Sequence, residues 1–323
     1  MKFRTEIEIE RWSRTIGYDD NILTLGSCFA NNIAERLFKR RFRVVASPTG
    51  ILFNPASVER AIRAMLSPMA IDKESLVYQD GRYLSYDFHS AISGQSPAEA
   101  ASAMEHALRL GGEAIRSADH IIITLGTAWV YRLKASGEVV ANCHKQPHRL
   151  FDRELLSVDE CVALLESIIG VIPSTTQLIL TLSPVRHIGE GMEENSLSKA
   201  VLRVAIDKIC RQHNEVVYFP SYEIVMDDLR DYRFYAEDMV HPSSVAVDYI
   251  ATKFFDASLS EQAKRLMPKA MAIVQAAQHR PLNSQSAEYK NFCQRQLQSI
   301  DELKEIDFTE EKSYFERMLQ INL

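Results

Sequence analysis

Short apolar runs alternate with amphipathic segments along most of the chain. The segments between the apolar runs carry hydrophobic residues at helical spacing and predict helices over 29–40, 56–65, 98–117, 158–171 and 197–213. The apolar runs themselves predict buried strands over 21–25, 42–46, 120–126, 177–182 and 216–219. Strands separated by helices are typical of a parallel sheet. We therefore expect an α/β fold with a doubly wound, mostly parallel five-stranded sheet flanked by helices.

Two stretches interrupt this alternation. Between residues 67 and 95 the periodicity weakens, and Asp80-Gly81 is a turn signal, so we expect an insertion near the functional edge of the sheet. Residues 128–142 form two short apolar runs around Ser136-Gly137, which predicts a β-hairpin.

The last quarter of the chain has a different character. Residues 250–277 are mostly helical in pattern, with an expected break at Pro268, and residues 288–304 and 310–320 predict two more helices. We expect an α/β domain over 1–255 and a helical extension over 256–323 packed on it. A lid, or a homo-oligomer formed through these helices, is the alternative role.

Composition excludes several classes of protein. The 323 residues carry a net charge of −6, with no basic excess of the kind that nucleic-acid binding requires. No apolar run approaches the length of about 18–20 residues that spans a membrane, and the first residues lack a signal peptide's apolar core. The five cysteines are scattered without a C-x-x-C pair, so we expect no disulfide framework, no metal and no cofactor. The expected location is cytoplasmic.

The first chemical candidate follows the first predicted strand, in Gly26-Ser27-Cys28. A hydroxyl between a strand and a helix lies at the carboxyl edge of the sheet, where open α/β folds bind ligands. The nearby helix N-terminus can stabilise a developing anion. Ser27 is therefore a candidate nucleophile that we expect to face the cleft. Cys28 is its rival, because a thiol near a helix N-terminus can have a lowered pKa, but we expect it to turn inward.

A candidate acid and base lie far downstream. Asp238 and His241 are three residues apart, a spacing that lets the carboxylate orient the imidazole while the imidazole takes a proton from a serine. Pro242 follows, and proline in a first helical turn signals the start of a helix. The alternative is that Asp238 caps a turn and His241 is a loop residue.

The string Gly-Ser-Cys-Phe-Ala at 26–30 resembles the signature of the GSCFA family, within the SGNH/GDSL-type hydrolase superfamily. Further strings support the resemblance, which runs from about residue 20 to 250: Asp87-Phe-His-Ser90, Thr124-Leu-Gly-Thr-Ala-Trp129, Asn142-Cys-His-Lys145, Ser183-Pro-Val-Arg-His187, Ser198-Lys-Ala200 and the Asp238/His241 pair. The resemblance implies a flavodoxin-like strand order, Ser27 as nucleophile, and Asp238 and His241 as acid and base.

Stabilising the tetrahedral oxyanion requires hydrogen-bond donors. The backbone N–H of Ser27 is one candidate. The superfamily usually adds a Gly after the second strand and an Asn after the third; Gly50 fits the first role, but Gly126 is followed by Thr127 rather than Asn. Thr127 or Asn142 could substitute, and we favour Asn142.

Other polar residues could line the substrate site. His144 and Lys145, with Asn142, could form a rim that binds an anionic or sugar-like group; a metal site with Cys143 is disfavoured, because neighbours on an extended strand face opposite ways. His187 is a second candidate base, and Arg186 could bind a carboxylate or phosphate or pair with the helix near Glu193. Asp87 and His89 could orient substrate.

These residues predict a serine esterase, deacetylase or acyltransferase that acts through an acyl–Ser27 intermediate. The expected substrate is a carbohydrate ester or a small-metabolite ester. The alternative is a catalytically inactive binding protein that keeps the fold. The absence of the expected Asn after Gly126 keeps that alternative open.

Overall fold

A parallel five-stranded sheet forms the centre of the molecule. The computed structural model describes residues 4–279, 281–283 and 285–320. In chain order its strands are β1 (Asn21–Gly26), β2 (Arg43–Ala46), β3 (Val77–Gln79), β4 (Arg82–Leu84), β5 (His120–Leu125), β6 (Trp129–Leu133), β7 (Val139–Val140), β8 (Phe151–Leu155), β9 (Gln177–Leu182) and β10 (Val216–Phe219). The central sheet has the order β10-β9-β5-β1-β2, and all its pairs are parallel. The predicted fold class is confirmed.

Helices cover both faces of this sheet. They are α1 (Cys28–Phe38), α2 (Pro55–Leu66), α3 (Pro97–Ser117), α4 (Val158–Ile169), α5 (Met192–Gln212), α6 (Ser221–Glu223), α7 (Ser244–Ser258), α8 (Glu261–Gln278), α9 (Ala287–Asp301) and α10 (Thr309–Gln320). One apolar core, with Phe29, Phe254 and Phe315, joins α1 to α7–α10. A second core, with Met104 and Leu165, joins α2–α5 to the other face. β1, β5 and β9 alternate between the two cores, which explains their continuous apolar runs.

The two predicted interruptions are present as small sheets. Strands β3 and β4 pair across Asp80 and Gly81, both at positive φ. The predicted hairpin is β6 paired with β7, and β8 adds a third antiparallel strand on the other side of β6. The hydrophobic pattern did not predict β8, because its three middle residues are charged and exposed.

Three predicted boundaries were wrong. The break in the helical stretch after residue 250 falls between α7 and α8, because the Ser260 side chain caps α8 by accepting the Ala263 N–H. Pro268 lies inside α8, where buried residues on both sides hold the helix against the core. Helix α5 begins at Met192 rather than at 197. Pro242 precedes Ser243, the N-cap of α7, and is not in the first helical turn.

The C-terminal helices pack directly on the α/β core. Phe315 of α10 is fully buried in the same apolar core as Phe29. Arg41, in the turn between α1 and β2, forms an ion pair of 2.7 Å with Glu310 at the start of α10. Of the predicted extension over 256–323, residues 280, 284 and 321–323 lie outside the described ones. No helix in the described ranges is both long enough and apolar enough to cross a membrane.

Candidate active site

Ser27 lies where β1 turns into α1. It is the N-cap of α1, and its Oγ accepts the N–H of Phe29 at 3.3 Å. Gly26 precedes it with φ of 114°, and a Cβ built there would lie 2.1 Å from the Thr124 carbonyl oxygen. Only glycine fits this close approach of β1 to β5. The glycine therefore fixes the position at which the serine leaves the sheet.

The Ser27 side chain is enclosed rather than exposed to the cleft, contrary to prediction. Its exposed fraction is 0%. The hydroxyl donates to Ser183 Oγ at 3.0 Å, and Ser183 itself follows the end of β9. Capping α1 and bonding to the residue after β9, which lies two strands away from β1, together turn the hydroxyl inward. No hydrogen bond joins Ser27 to His241 within the described ranges.

Asp238 and His241 form the predicted pair. His241 Nδ1 lies 2.7 Å from Asp238 Oδ2, and both side chains are about half exposed. The other carboxylate oxygen accepts the backbone N–H groups of His241 at 3.0 Å and Val240 at 2.9 Å. These hydrogen bonds lower the pKa of Asp238 to about 2. The carboxylate is therefore ionised and oriented toward the imidazole.

Backbone contacts hold the loop of this pair against the segment that follows β9. The Arg186 N–H donates to the Val240 carbonyl at 3.2 Å, and the Arg186 guanidinium donates to the Met239 carbonyl at 3.3 Å. The guanidinium also stacks over Tyr235 at 4.0 Å and Tyr232 at 5.1 Å. In this structure Arg186 thus fastens two loops together; it forms no salt bridge with Glu193, and its predicted role of binding an anion remains untested.

His187 lies at the inner end of the same segment. Its Nε2 is buried and has no hydrogen-bond partner within the described ranges. Its ring packs edge-on against Phe53, with 5.1 Å between ring centroids. Burial, with smaller contributions from the charges of Lys199 and His241, lowers the pKa of His187 to about 4. The imidazole is therefore neutral near pH 7.

Two candidate oxyanion donors are already engaged. The Ser27 N–H donates to the Thr124 carbonyl at 2.9 Å. The Gly50 N–H donates to the Ser47 carbonyl at 2.8 Å, and a Cβ at Gly50 would collide with His89. In this conformation neither N–H is free to bind an oxyanion. Both would need the turns around them to move.

The two remaining candidates line a cleft beside His187. Its volume is about 580 Å³. Thr127 Oγ1 bonds to Ser198 Oγ at 2.9 Å, while Asn142 uses its Oδ1 to accept the His144 N–H at 2.8 Å. The other lining residues include three aromatic side chains and several polar ones, among them Phe53, Trp129, Tyr131, Cys143, Lys145 and His148. Ser27 is not part of the lining.

Residues 142–145 form a turn rather than the extended strand that the sequence suggested. His144 and Lys145 both have positive φ, so the chain reverses here. His144 points inward, where its Nε2 bonds to the Ser85 carbonyl at 2.7 Å and its Nδ1 to Ser90 Oγ at 3.1 Å. This histidine connects the turn to the insertion, whereas Lys145 lines the cleft.

The insertion residues make mainly structural contacts. Asp87 forms an ion pair with Arg60 at 3.0 Å. His89 Nδ1 accepts the Ala91 N–H at 3.2 Å, and burial lowers the pKa of His89. Within the described ranges no group of three His, Cys, Asp or Glu side chains could hold a metal ion.

Cys28 shows no sign of an activated thiolate. The side chain packs against the core beside α1. Burial raises the pKa of its thiol, and this outweighs the lowering by the helix amides and by Lys199. The thiol therefore stays protonated near pH 7.

The family comparison covers most of the chain. The model of the GSCFA family matches residues 21–254, and the model of the GSCFA domain protein, C-terminal domain, matches residues 270–321. The chain belongs to the GSCFA family. The resemblance predicted from Gly26 to Ala30 and the later strings is confirmed.

Distant solved structures resemble this GSCFA chain weakly. A platelet activating factor structure from Streptococcus pneumonia has TM-score 0.39 and 14% identity, covering 73% of this chain and 83% of the other. A Clostridium thermocellum family 3 carbohydrate esterase has TM-score 0.34 and 12% identity, covering 79% and 98%. An acetyl xylan esterase from Butyrivibrio proteoclasticus has TM-score 0.33 and 12% identity, covering 79% and 65%. No curated protein matches the sequence.

One further residue of this GSCFA site escaped prediction. Lys199 of α5 is 2% exposed, and its ammonium donates to the carbonyls of Gly126 at 2.7 Å and Ser183 at 2.6 Å. A signal was present: Lys199 shares the buried face of α5 with Leu202 and Ile206, at helical spacing. A charged residue on an apolar helix face is unusual.

Proposed function

We propose that this GSCFA protein is a serine hydrolase that forms an acyl–Ser27 intermediate. One observation carries the proposal: a chain of contacts links the Asp238–His241 pair to Ser27. The loop of the pair is bonded to the segment that follows β9, and Ser183 at the start of that segment bonds to the Ser27 hydroxyl. This shared edge of the sheet supports the proposed roles of Ser27 as nucleophile and His241 as base.

The proposed chemistry has two steps. His241 takes the Ser27 proton as Oγ attacks the ester carbonyl, and it returns that proton to the departing alcohol as the ester C–O bond breaks. Water, or an acceptor alcohol, then attacks acyl–Ser27 with His241 again as base. The product is a carboxylic acid or a new ester, and Ser27 regains its proton.

The first step requires a local change. Ser27 must redirect its hydroxyl from Ser183 toward His241, since hydrogen bonds between catalytic groups often tighten only when substrate binds. The Nδ2 of Asn142 is our preferred oxyanion donor, because Asn142 uses Oδ1 for the His144 N–H and its side chain lines the cleft. Neutral His187 and Thr127 line the same cleft and would contact the substrate.

The lining of the cleft favours a carbohydrate ester. Phe53, Trp129 and Tyr131 supply aromatic surface, and Asn142 and His148 supply polar groups beside it. Ligand sites commonly combine apolar walls with a few polar groups that set orientation. We propose hydrolysis or transfer of a small acyl group, such as acetyl, carried by a sugar.

A non-catalytic binding protein is the second candidate. The observation that favours it is the enclosed Ser27, whose hydroxyl bonds to Ser183 and whose N–H bonds to Thr124. In that case the cleft beside His187 would bind a ligand, and Ser27 would serve only as the N-cap of α1.

Reaction with a fluorophosphonate probe separates the two candidates. The hydrolase predicts one label per molecule, lost in Ser27→Ala and retained in Cys28→Ala, because only an activated serine attacks phosphorus at a useful rate. Circular dichroism of each variant controls for folding. Folded wild-type protein that stays unlabelled, or a label that survives Ser27→Ala, contradicts the acyl–Ser27 mechanism.

A further inference from the structure

Lys199 lies at a buried position, where a lysine side chain is energetically unfavourable. Among the described residues it is the one lysine that is fully buried, and no carboxylate forms an ion pair with it there. A buried ammonium without a counter-ion costs several kcal/mol unless hydrogen bonds offset the loss of water. A methionine would fill the same space without that cost, so packing alone does not explain the lysine.

The two hydrogen-bond acceptors of Lys199 indicate its role in the structure. Gly126 follows β5 and Ser183 follows β9, and these strands are neighbours in the sheet. The ammonium bonds to both carbonyls and so joins two strand ends at the edge where Ser27 lies. Gly126 is also packed tightly, since a Cβ there would lie 2.8 Å from His187 Nε2.

The contact continues from Ser183 to the nucleophile. The Ser183 carbonyl accepts from Lys199 at 2.6 Å, while the Ser183 hydroxyl accepts from Ser27 at 3.0 Å. The Val185 N–H also donates to that hydroxyl at 3.3 Å. Lys199 thus fixes the backbone of the residue that in turn orients Ser27.

We propose that Lys199 is a positioning residue of the acyl-transfer site: it holds Ser183 and Gly126, so that the Ser27 hydroxyl starts from one fixed position before it turns toward His241. This inference rests on the proposed function. Lys199 does not contact the reacting atoms; it acts through Ser183. Misplacement of a reacting group by about 1 Å can lower a rate about a hundredfold, so a strand end released by loss of Lys199 would slow acylation.

The test is a double-mutant cycle on the rate of fluorophosphonate labelling at Ser27. We expect Lys199→Met to slow labelling about tenfold to a hundredfold in the wild-type background. In a Ser183→Ala background the same substitution should have little further effect, because its route to Ser27 is already broken. A purely structural lysine would instead give independent effects. Additive losses, or no loss in Lys199→Met, overturn the proposal.

Two controls keep the result specific. Lys208→Met, on the exposed side of the same helix, where Lys208 pairs with Asp159 at 2.8 Å, should label at the wild-type rate. A neutral amine still has two N–H donors for the two carbonyls. The slower labelling of Lys199→Met should therefore persist from pH 6 to 9. If the labelling rates of the variant and the wild type become equal at high pH, the positioning role is overturned in favour of a charge effect.

Failure of the proposed function gives a different result. If the wild-type protein takes no label, acyl–serine chemistry is wrong, and positioning is then judged from crystal structures of the wild type and Lys199→Met. Displacement of Ser183 Oγ from hydrogen-bond distance of Ser27 Oγ in the variant supports the positioning role. An unchanged distance overturns it.

Discussion

Two histidines at opposite ends of the central sheet differ in their hydrogen bonding. At the amino end, His120 is buried at the start of β5, and both ring nitrogens have partners: Nδ1 meets Gln177 at 3.1 Å and Nε2 meets Asp20 at 3.3 Å. At the carboxyl end, His187 Nε2 is buried and has no hydrogen-bond partner among the described residues, while the Lys199 ammonium donates to two backbone carbonyls.

This contrast gives the two histidines different expected contributions to stability. Buried polar groups in proteins are normally satisfied, and a group left unsatisfied destabilises the fold. Sequences that depart from this rule do so mainly at functional sites. His120 therefore supports the fold through two hydrogen bonds. His187 has an Nε2 that could bond to a ligand in the cleft that it lines, as the proposed function requires.

The largest effect is expected at the exposed pair. His241→Ala should lower acyl transfer by about 10²- to 10⁴-fold, because a positioned base contributes a factor of this size. His241 is about half exposed, so the unfolding midpoint should change little. Steady-state hydrolysis of an aryl acetate, with urea unfolding alongside, gives both quantities. A His241→Ala variant with the wild-type rate of hydrolysis would contradict a catalytic role for His241.

The same substitution at His120 and His187 tests the comparison between the two histidines. His120→Phe should lower the free energy of unfolding by about 1–3 kcal/mol, because Gln177 and Asp20 lose their hydrogen-bond partner. His187→Phe should lower the free energy of unfolding by less than about 1 kcal/mol, since the Nε2 of His187 has no hydrogen bond to lose. Urea unfolding measures both. Equal costs, or a larger cost at His187, would contradict the proposed difference between the two ends.

A smaller effect should appear in the pH dependence of stability. Burial lowers the pKa of Lys199 to about 7, against an ordinary value near 10.4 in the unfolded chain. Between these values the unfolded state binds a proton that the folded state has released, so this group makes stability rise with pH. From pH 7 to 10 the free energy of unfolding of the wild type should therefore rise relative to that of Lys199→Met, by at most about 1.4 kcal/mol per pH unit. Parallel stability curves would contradict a buried, titrating lysine.

Local patterns were sufficient to predict much of the fold and part of the site. The five central strands were predicted because each contains a short run of apolar residues, and β8 was missed because its centre is charged. The Asp238–His241 pair was predictable because its hydrogen bond spans only three residues. Gly26 and Ser27 were recognisable from a strand that leads directly into a helix.

The rest depends on contacts between distant parts of the chain. Ser27 and Ser183 are 156 positions apart, and Lys199 and Gly126 are 73 apart. No periodicity predicts which strand end meets which hydroxyl. The enclosure of Ser27 was missed for this reason. The occupied N–H groups of Ser27 and Gly50 were missed similarly, since each depends on how a turn closes.

The most direct test of the central claim is detection of the acyl-enzyme. The protein is mixed with an aryl acetate, quenched in acid within the first turnovers, digested and analysed by mass spectrometry. We predict an acetyl group on Ser27, formed more slowly in His241→Ala because His241 is the proposed base of the acylation step. The acetyl group should be absent from Ser27→Ala. Turnover of the ester with no acetyl group on Ser27, or with the acetyl group on Cys28, would contradict the account.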